Sequence, residues 1–83
     1  MSRAMRIDTV QLAVRLPRNL RFRKWVTTFT TDTETVSEDQ AVRFIRIVCE
    51  IESRRELSTN PVAEQRFHEL LFAPFVAWRD ARH

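Results

Sequence analysis

The fold is decided by the stretch Ser37-Glu38-Asp39-Gln40-Ala41-Val42-Arg43-Phe44-Ile45-Arg46-Ile47-Val48-Cys49-Glu50-Ile51-Glu52-Ser53-Arg54. Ser37 with Gln40 three residues later is the pattern of a capping box, and the acidic residues between them suit the positive end of a helix dipole. The apolar residues that follow recur at helical spacing and cover most of the circumference. Such a helix needs cover on several sides, so we predict a central helix shared between two copies of the chain.

Length and composition are typical of one globular domain, since 43% of the 83 residues are hydrophobic and 30% are charged. The chain contains no glycine, which excludes Gly-rich phosphate loops, dinucleotide fingerprints and nucleophile elbows. The single cysteine, Cys49, lies in an apolar helical stretch and indicates a buried thiol in a reducing cytoplasm. No apolar run is long enough to cross a bilayer, and no secretory signal is expected.

The charges are divided unevenly along the chain. Residues 1–30 carry seven basic side chains and one acidic side chain, whereas residues 31–83 carry seven basic and ten acidic ones. A basic first third on a mildly acidic remainder suggests an anionic partner. The alternative is a basic face that is simply solvated, and charge alone does not separate the two.

Residues 9–16 alternate between apolar and small or polar side chains, with period two. This pattern predicts a β-strand with one apolar face, and Pro17 ends it because proline cannot donate to a ladder. The apolar face of the strand consists of Val10, Leu12, Val14 and Leu16.

Three further segments show helical patterns. Apolar residues at i, i+3, i+4 and i+7 predict a helix over residues 18–30, although its threonines leave a second strand as the alternative. Asn60 followed by Pro61 begins another helix, Pro74 must break or kink it, and a last short helix spans residues 75–82. We therefore expect one domain over residues 1–83: a basic arm (1–8), a strand-helix-helix unit (9–54) and a C-terminal helical extension (60–83).

The order of strand, proline, helix, turn and more apolar helix resembles the ribbon-helix-helix (Arc/MetJ-like) family of DNA-binding proteins. The resemblance covers residues 9–51 and lies in Gln11-Leu12-Ala13-Val14-Arg15-Leu16-Pro17-Arg18-Asn19-Leu20 and Ser37-Glu38. It implies a mainly α fold with one short strand, which pairs with the same strand of a second chain as an antiparallel ribbon in a homodimer. The alternative fold is a small α+β monomer with an N-terminal β-hairpin and two C-terminal helices.

In such a dimer the polar face of the ribbon would enter the major groove of double-stranded DNA. Gln11, Ala13 and Arg15 would then contact bases. The expected phosphate contacts are Arg18, Arg21, Arg23, Lys24, Ser37 and Glu38, the last two at a helix N-terminus.

The leading functional prediction is therefore a homodimeric, sequence-specific DNA-binding protein of the cytoplasm, such as a repressor, an antitoxin or a plasmid-transfer accessory factor. The alternative is a protein-binding module, for example a phage- or plasmid-borne inhibitor or an assembly subunit. Its contact residues would be Phe67, Leu71, Phe75 and Trp78. No arrangement of catalytic or metal-binding residues is recognisable, so we expect neither an enzyme nor a cofactor.

Overall fold

The computed structural model describes residues 8–81, which form helices joined by short turns. The α-helices are α1 (Thr9–Arg15), α2 (Leu20–Thr27), α3 (Glu38–Cys49), α4 (Pro61–Arg66) and α5 (Ala73–Ala81). Two 3-10 helices span Leu16–Arg18 and Arg54–Ser58, and a π-helix spans Phe67–Phe72.

The prediction of a mainly α protein is confirmed. Because residues 8–81 contain no β-strand, the strand, the intermolecular ribbon and the alternative β-hairpin are all wrong. The predicted basic arm lies almost entirely outside the described residues.

Helix α1 occupies the segment predicted as a strand. Asp8 caps it, since its Oδ1 accepts a hydrogen bond of 2.9 Å from the backbone N–H of Val10. The buried residues are Thr9 and Ala13, followed by Leu16 in the next turn, and this spacing of i, i+4 and i+7 is that of one helical face.

The strand prediction was wrong because the alternating pattern placed Thr9 and Ala13 on the solvent-exposed face. A helix satisfies its own backbone groups, whereas a strand needs a neighbouring strand, and none occurs within residues 8–81. Helix α1 packs on the 3-10 helix Arg54–Ser58, and Arg54 Nη1 donates a hydrogen bond of 3.0 Å to the carbonyl oxygen of Ala13.

Helix α2 confirms the helix predicted after Pro17, over a shorter range. Asn19 begins it, because its side-chain oxygen accepts hydrogen bonds from the backbone N–H groups of Arg21 and Phe22. Two threonines form side-chain hydrogen bonds near the C-terminal end of α2: the hydroxyls of Thr27 and Thr28 donate to carbonyl oxygens of the last turns. The Thr27 oxygen also accepts from the N–H of Val36, which fixes the connection to α3.

Helix α3 has the predicted capping box. The Ser37 hydroxyl accepts from the Gln40 N–H at 3.1 Å, and the Gln40 side chain accepts from the Ser37 N–H at 2.8 Å. Its buried residues are Ala41, Ile45 and Cys49.

Glu50 closes α3 in the left-handed region, at φ 60° and ψ 48°. Glycine usually occupies this position, and a residue with a Cβ costs roughly 1–2 kcal/mol there. The chain has no glycine, so a glutamate takes the position and forms an ion pair of 3.0 Å with Arg66.

The C-terminal helix begins as predicted, with Asn60 accepting hydrogen bonds from the N–H groups of Val62 and Ala63 and Pro61 in its first turn. It does not break at Pro74. The π-helix Phe67–Phe72 precedes the proline, and the N–H of Ala73 bonds to the carbonyl of His68, five residues back. The wider turn changes the backbone hydrogen-bond pattern just before Pro74, which has no N–H to donate. Helix α4, the π-helix and α5 therefore follow one another without a gap.

The core lies between α3 and the other helices. Phe22 and Phe75 meet edge to face with ring centroids 5.3 Å apart, and Trp25 lies 6.0 Å from Phe75. Helix α3 packs against α2, α4 and the π-helix, so most of its apolar surface is covered within the chain. Ile47 is the exception, at 67% exposure. That two copies share this helix stays a prediction.

Candidate functional site

A group of exposed cations lies on α1, α2 and the turn between them. Gln11 and Arg15 are four residues apart on one exposed face of α1, and Arg21 and Lys24 are three apart on an exposed face of α2. Arg18 is exposed in the 3-10 helix that joins them. We call Arg15, Arg18, Arg21 and Lys24 the basic surface.

The inward residues of the same segment explain why these cations point outward. Leu16 and Pro17 are buried in the turn, and Phe22, Trp25 and Val26 are the buried face of α2. Since the apolar stripe of a short amphipathic helix packs on the core, the intervening basic residues are left in solvent.

The basic surface is not neutralised within the chain. No acidic residue occurs between Asp8 and Asp32. The ion pairs found in residues 8–81 are Glu50–Arg66 and Arg79–Asp80, neither of which involves α1 or α2. The charges of the basic surface are therefore available to an anion.

Arg23 differs from its neighbours, because it is only partly exposed. Its Nε is buried and has no hydrogen-bond partner in the described part of the chain. An unpaired buried donor is costly, but an anion in solvent cannot reach this atom, so Arg23 is not part of the basic surface. Its predicted phosphate contact stays a prediction.

The N-terminus of α3 is a poor phosphate site. Ser37 and Gln40 already use their capping groups on each other. Glu38 and Asp39 are exposed beside them, and the preceding loop contributes Asp32 and Glu34. An open cleft of about 290 Å³ is lined by Asp32, Thr33, Glu34, Thr35 and Gln40. The carboxylates of this acidic loop would repel a phosphate, so the structure gives no support to the predicted contacts at Ser37 and Glu38.

The three residues predicted to contact bases do not lie on one face of α1. Gln11 and Arg15 are exposed, but Ala13 is fully buried in the core. The prediction for Ala13 is therefore wrong, because a residue on the opposite side of a helix from Gln11 cannot share a contact surface with it. Contacts of Gln11 and Arg15 with nucleic acid stay predictions, without the ribbon that was expected to carry them.

The predicted protein-contact residues of the C-terminal extension are mostly core. Phe67, Leu71 and Phe75 are fully buried at i, i+4 and i+8, so they cannot form a docking surface on the folded chain. Trp78 is partly buried and stacks on Phe75, with centroids 6.4 Å apart. The aromatic excess of this segment serves to build the core.

Sequence analysis missed an apolar surface formed by Phe29 and Phe44, with the exposed Ile47 three residues after Phe44 on α3. Phe29 continues the apolar spacing of α2 but lies beyond its last residue, and it is 61% exposed. The signal was the polar run from Thr30 to Thr35, which ends the helix and leaves Phe29 at its edge.

A second polar cluster joins α1 to the C-terminal helix. The Thr9 hydroxyl donates to Glu64 Oε2 at 2.7 Å and lies 3.0 Å from His68 Nε2. Because the hydroxyl has a single proton, its oxygen accepts from His68. These are residue types used in catalysis, but Thr9 is only 4% exposed and cannot reach a substrate. The cluster fastens α1 to α4 and the π-helix.

Residues 8–81 provide no site for a metal ion or for thiol chemistry. No group of three or more His, Cys, Asp or Glu side chains lies close enough there to hold a metal ion. Cys49 is buried, and burial raises the pKa of its thiol from 9.0 to about 11, an effect that the nearby Arg66 partly opposes.

We expect Cys49 to make the protein less stable at alkaline pH. Above pH 9 the unfolded chain releases the thiol proton, whereas the folded chain holds it until about pH 11. The free energy of unfolding should therefore fall by about 1 kcal/mol for each pH unit in this window. Urea unfolding across the window measures the slope, and Cys49→Ala should remove it. An equal slope in both proteins would contradict the assignment to this thiol.

Comparisons with known proteins give no relative: no protein-family model, no curated protein and no solved structure matches the chain. Over the range 8–81, none of the helices has the length and apolar character needed to cross a membrane. A functional assignment must therefore come from the chemistry of the surface.

Proposed function

We propose that the protein binds nucleic acid through the phosphate backbone, using the basic surface and without reading the base sequence. The single observation that carries this proposal is four exposed cations on one uninterrupted basic segment, none of them paired with an acid of residues 8–81. Cations of this kind displace condensed counterions from nucleic acid, which favours binding independently of sequence.

Sequence-specific recognition is not part of this proposal. It depended on a β-ribbon, and helix α1 occupies that segment. Phosphate contacts position a protein on nucleic acid but carry no sequence information themselves. Helix α1 also removes the ribbon as a reason for a second copy, because its backbone bonds are made within the chain, whereas a dimer that shares α3 stays a prediction. A cytoplasmic location fits the proposal.

The proposal is tested by fluorescence anisotropy on a labelled duplex over about 0.05–0.2 M salt. Each phosphate neutralised adds about 0.9 to the slope of log affinity against log salt. The double variant Arg21→Gln with Lys24→Gln should therefore lower the slope by about 1.8. Arg15→Gln with Arg18→Gln should act similarly.

The matched control is Arg46→Gln with Arg55→Gln, which removes the same charge from exposed positions outside the basic surface. Its slope should remain that of the wild type. A wild-type protein without salt-dependent binding would overturn the proposal. So would equal slopes in the Arg21/Lys24 variant and the Arg46/Arg55 control, since net charge alone would then explain the change.

A further inference from the structure

The apolar surface beside α2 contains a pair of stacked aromatic rings. Phe29 and Phe44 lie with centroids 5.7 Å apart and their planes 27° from parallel. Phe44 is partly buried on α3, whereas 61% of Phe29 is exposed. One face of the Phe29 ring is thus backed by protein, and much of the rest of the ring is in solvent.

The orientation of Phe29 is held by a third ring. Trp25 and Phe29 form a T-shaped pair with ring centroids 5.0 Å apart and planes at 82°, and the Trp25 centroid lies 6.2 Å from that of Phe44. Trp25 is itself buried. Contacts with two fixed rings restrict the torsions of Phe29, so a flat ligand that stacks on it would lose little side-chain entropy.

The charges around the pair differ on its two sides. Lys24 and Arg21 are exposed on α2, five and eight residues before Phe29. Lys24 lies in the last turn of α2, so the side of Phe29 toward this helix carries a cation. Asp32 and Glu34 follow it in the acidic loop and would repel phosphates on that side.

We propose that Phe29, backed by Phe44, stacks on an unpaired base, so that the protein prefers single-stranded to double-stranded nucleic acid. This inference rests on the proposed function, because the basic surface supplies the phosphate contacts. Proteins that bind single strands combine a cationic track with exposed rings, and stacking tolerates any base since each has a π-face. The strand runs from Phe29 toward α2, away from Asp32 and Glu34.

The experiment compares a labelled oligothymidylate of about 12 nucleotides with a duplex of the same length, within the site sizes of single-strand-binding domains. The proteins are the wild type, Phe29→Ala, Phe29→Leu and Leu70→Ala. Phe29→Leu keeps apolar bulk without a ring. Leu70→Ala is the matched control, because Leu70 is a 52% exposed hydrophobic residue of the π-helix. Circular dichroism checks that each variant is folded.

The wild type should bind the single strand more tightly than the duplex. Phe29→Ala should weaken single-strand binding by about 5- to 100-fold with little effect on the duplex. Phe29→Leu should resemble Phe29→Ala, and Leu70→Ala should resemble the wild type.

Three results would overturn the inference. Salt-dependent binding of both ligands with no effect of Phe29→Ala would refute stacking while leaving the proposed function intact. Full single-strand binding by Phe29→Leu would show that apolar bulk suffices, as at a protein-docking surface that includes Ile47. Absence of binding to either ligand would refute the inference together with the proposed function.

Discussion

Ala13→Arg should lower the free energy of unfolding by about 3–5 kcal/mol, which is a large part of the stability of a domain this small. Ala13 is fully buried on the inner side of α1, next to the 3-10 helix that carries Arg54. An arginine there would be overpacked, and its charge would be desolvated without a partner. Urea unfolding followed by circular dichroism measures the loss.

Gln11→Arg is the control for Ala13→Arg, since it adds the same side chain to an exposed position of the same helix. It should change stability by no more than about 0.5 kcal/mol. The alternating strand predicted from the sequence would place both residues on one wet face. Equal stability of the two variants would therefore contradict the helical structure of residues 9–15.

Phe75→Ala should have a comparable effect, lowering the free energy of unfolding by about 3–5 kcal/mol. Phe75 is buried between α2 and α5, where its ring meets Phe22 and Trp25, and the Arg79 guanidinium lies 5.8 Å from its centroid. Truncation removes these contacts and leaves a cavity. Denaturant titration with tryptophan fluorescence follows the change, because Trp25 adjoins the site.

Leu70→Ala is the control for Phe75→Ala, because it shortens a surface side chain in the same C-terminal helix. Leu70 is 52% exposed, so its truncation should cost little. If Phe75→Ala were as stable as Leu70→Ala, the C-terminal segment would be a peripheral arm, as the alternative prediction of a protein-binding extension requires.

The segments that sequence analysis predicted correctly carry local signals that need no tertiary information. Ser37 and Gln40 specify the start of α3, and Asn60 with Pro61 specifies that of the C-terminal helix. In both cases the side chains satisfy backbone groups that a helix end leaves without partners. Helix α2 followed from its apolar spacing, despite the threonines that cluster at its end.

In the mispredicted segment, residues 9–15, the local sequence signals are compatible with both a strand and a helix. Val10, Leu12 and Val14 alternate, but a strand also needs a neighbour to accept its hydrogen bonds, and the part of the chain from 8 to 81 contains no other strand. Asp8 was the missed signal, because an N-cap residue favours a helix. Tertiary packing then decided, with the small Ala13 allowing close contact with the 3-10 helix Arg54–Ser58.

The candidate site was predictable only in its charge. The basic run before residue 25 is visible in the sequence, and the structure leaves Arg15, Arg18, Arg21 and Lys24 exposed. The aromatic residues could not be sorted in the same way. Phe29 and Phe75 both have helical spacing, and only the end of α2 and the packing of α5 make one exposed and the other buried.

The π-helix before Pro74 lets Phe67 and Phe75 share one buried face although they are eight residues apart. In a regular helix of 3.6 residues per turn, eight residues turn by about 800°, which would leave the two rings about 80° apart around the axis. The wide turn absorbs one additional residue, so deletion of one residue between positions 67 and 72 with a return to i to i−4 bonding would place the two rings at i and i+7, about 20° apart. This short segment should therefore tolerate the loss of one residue better than the gain of one.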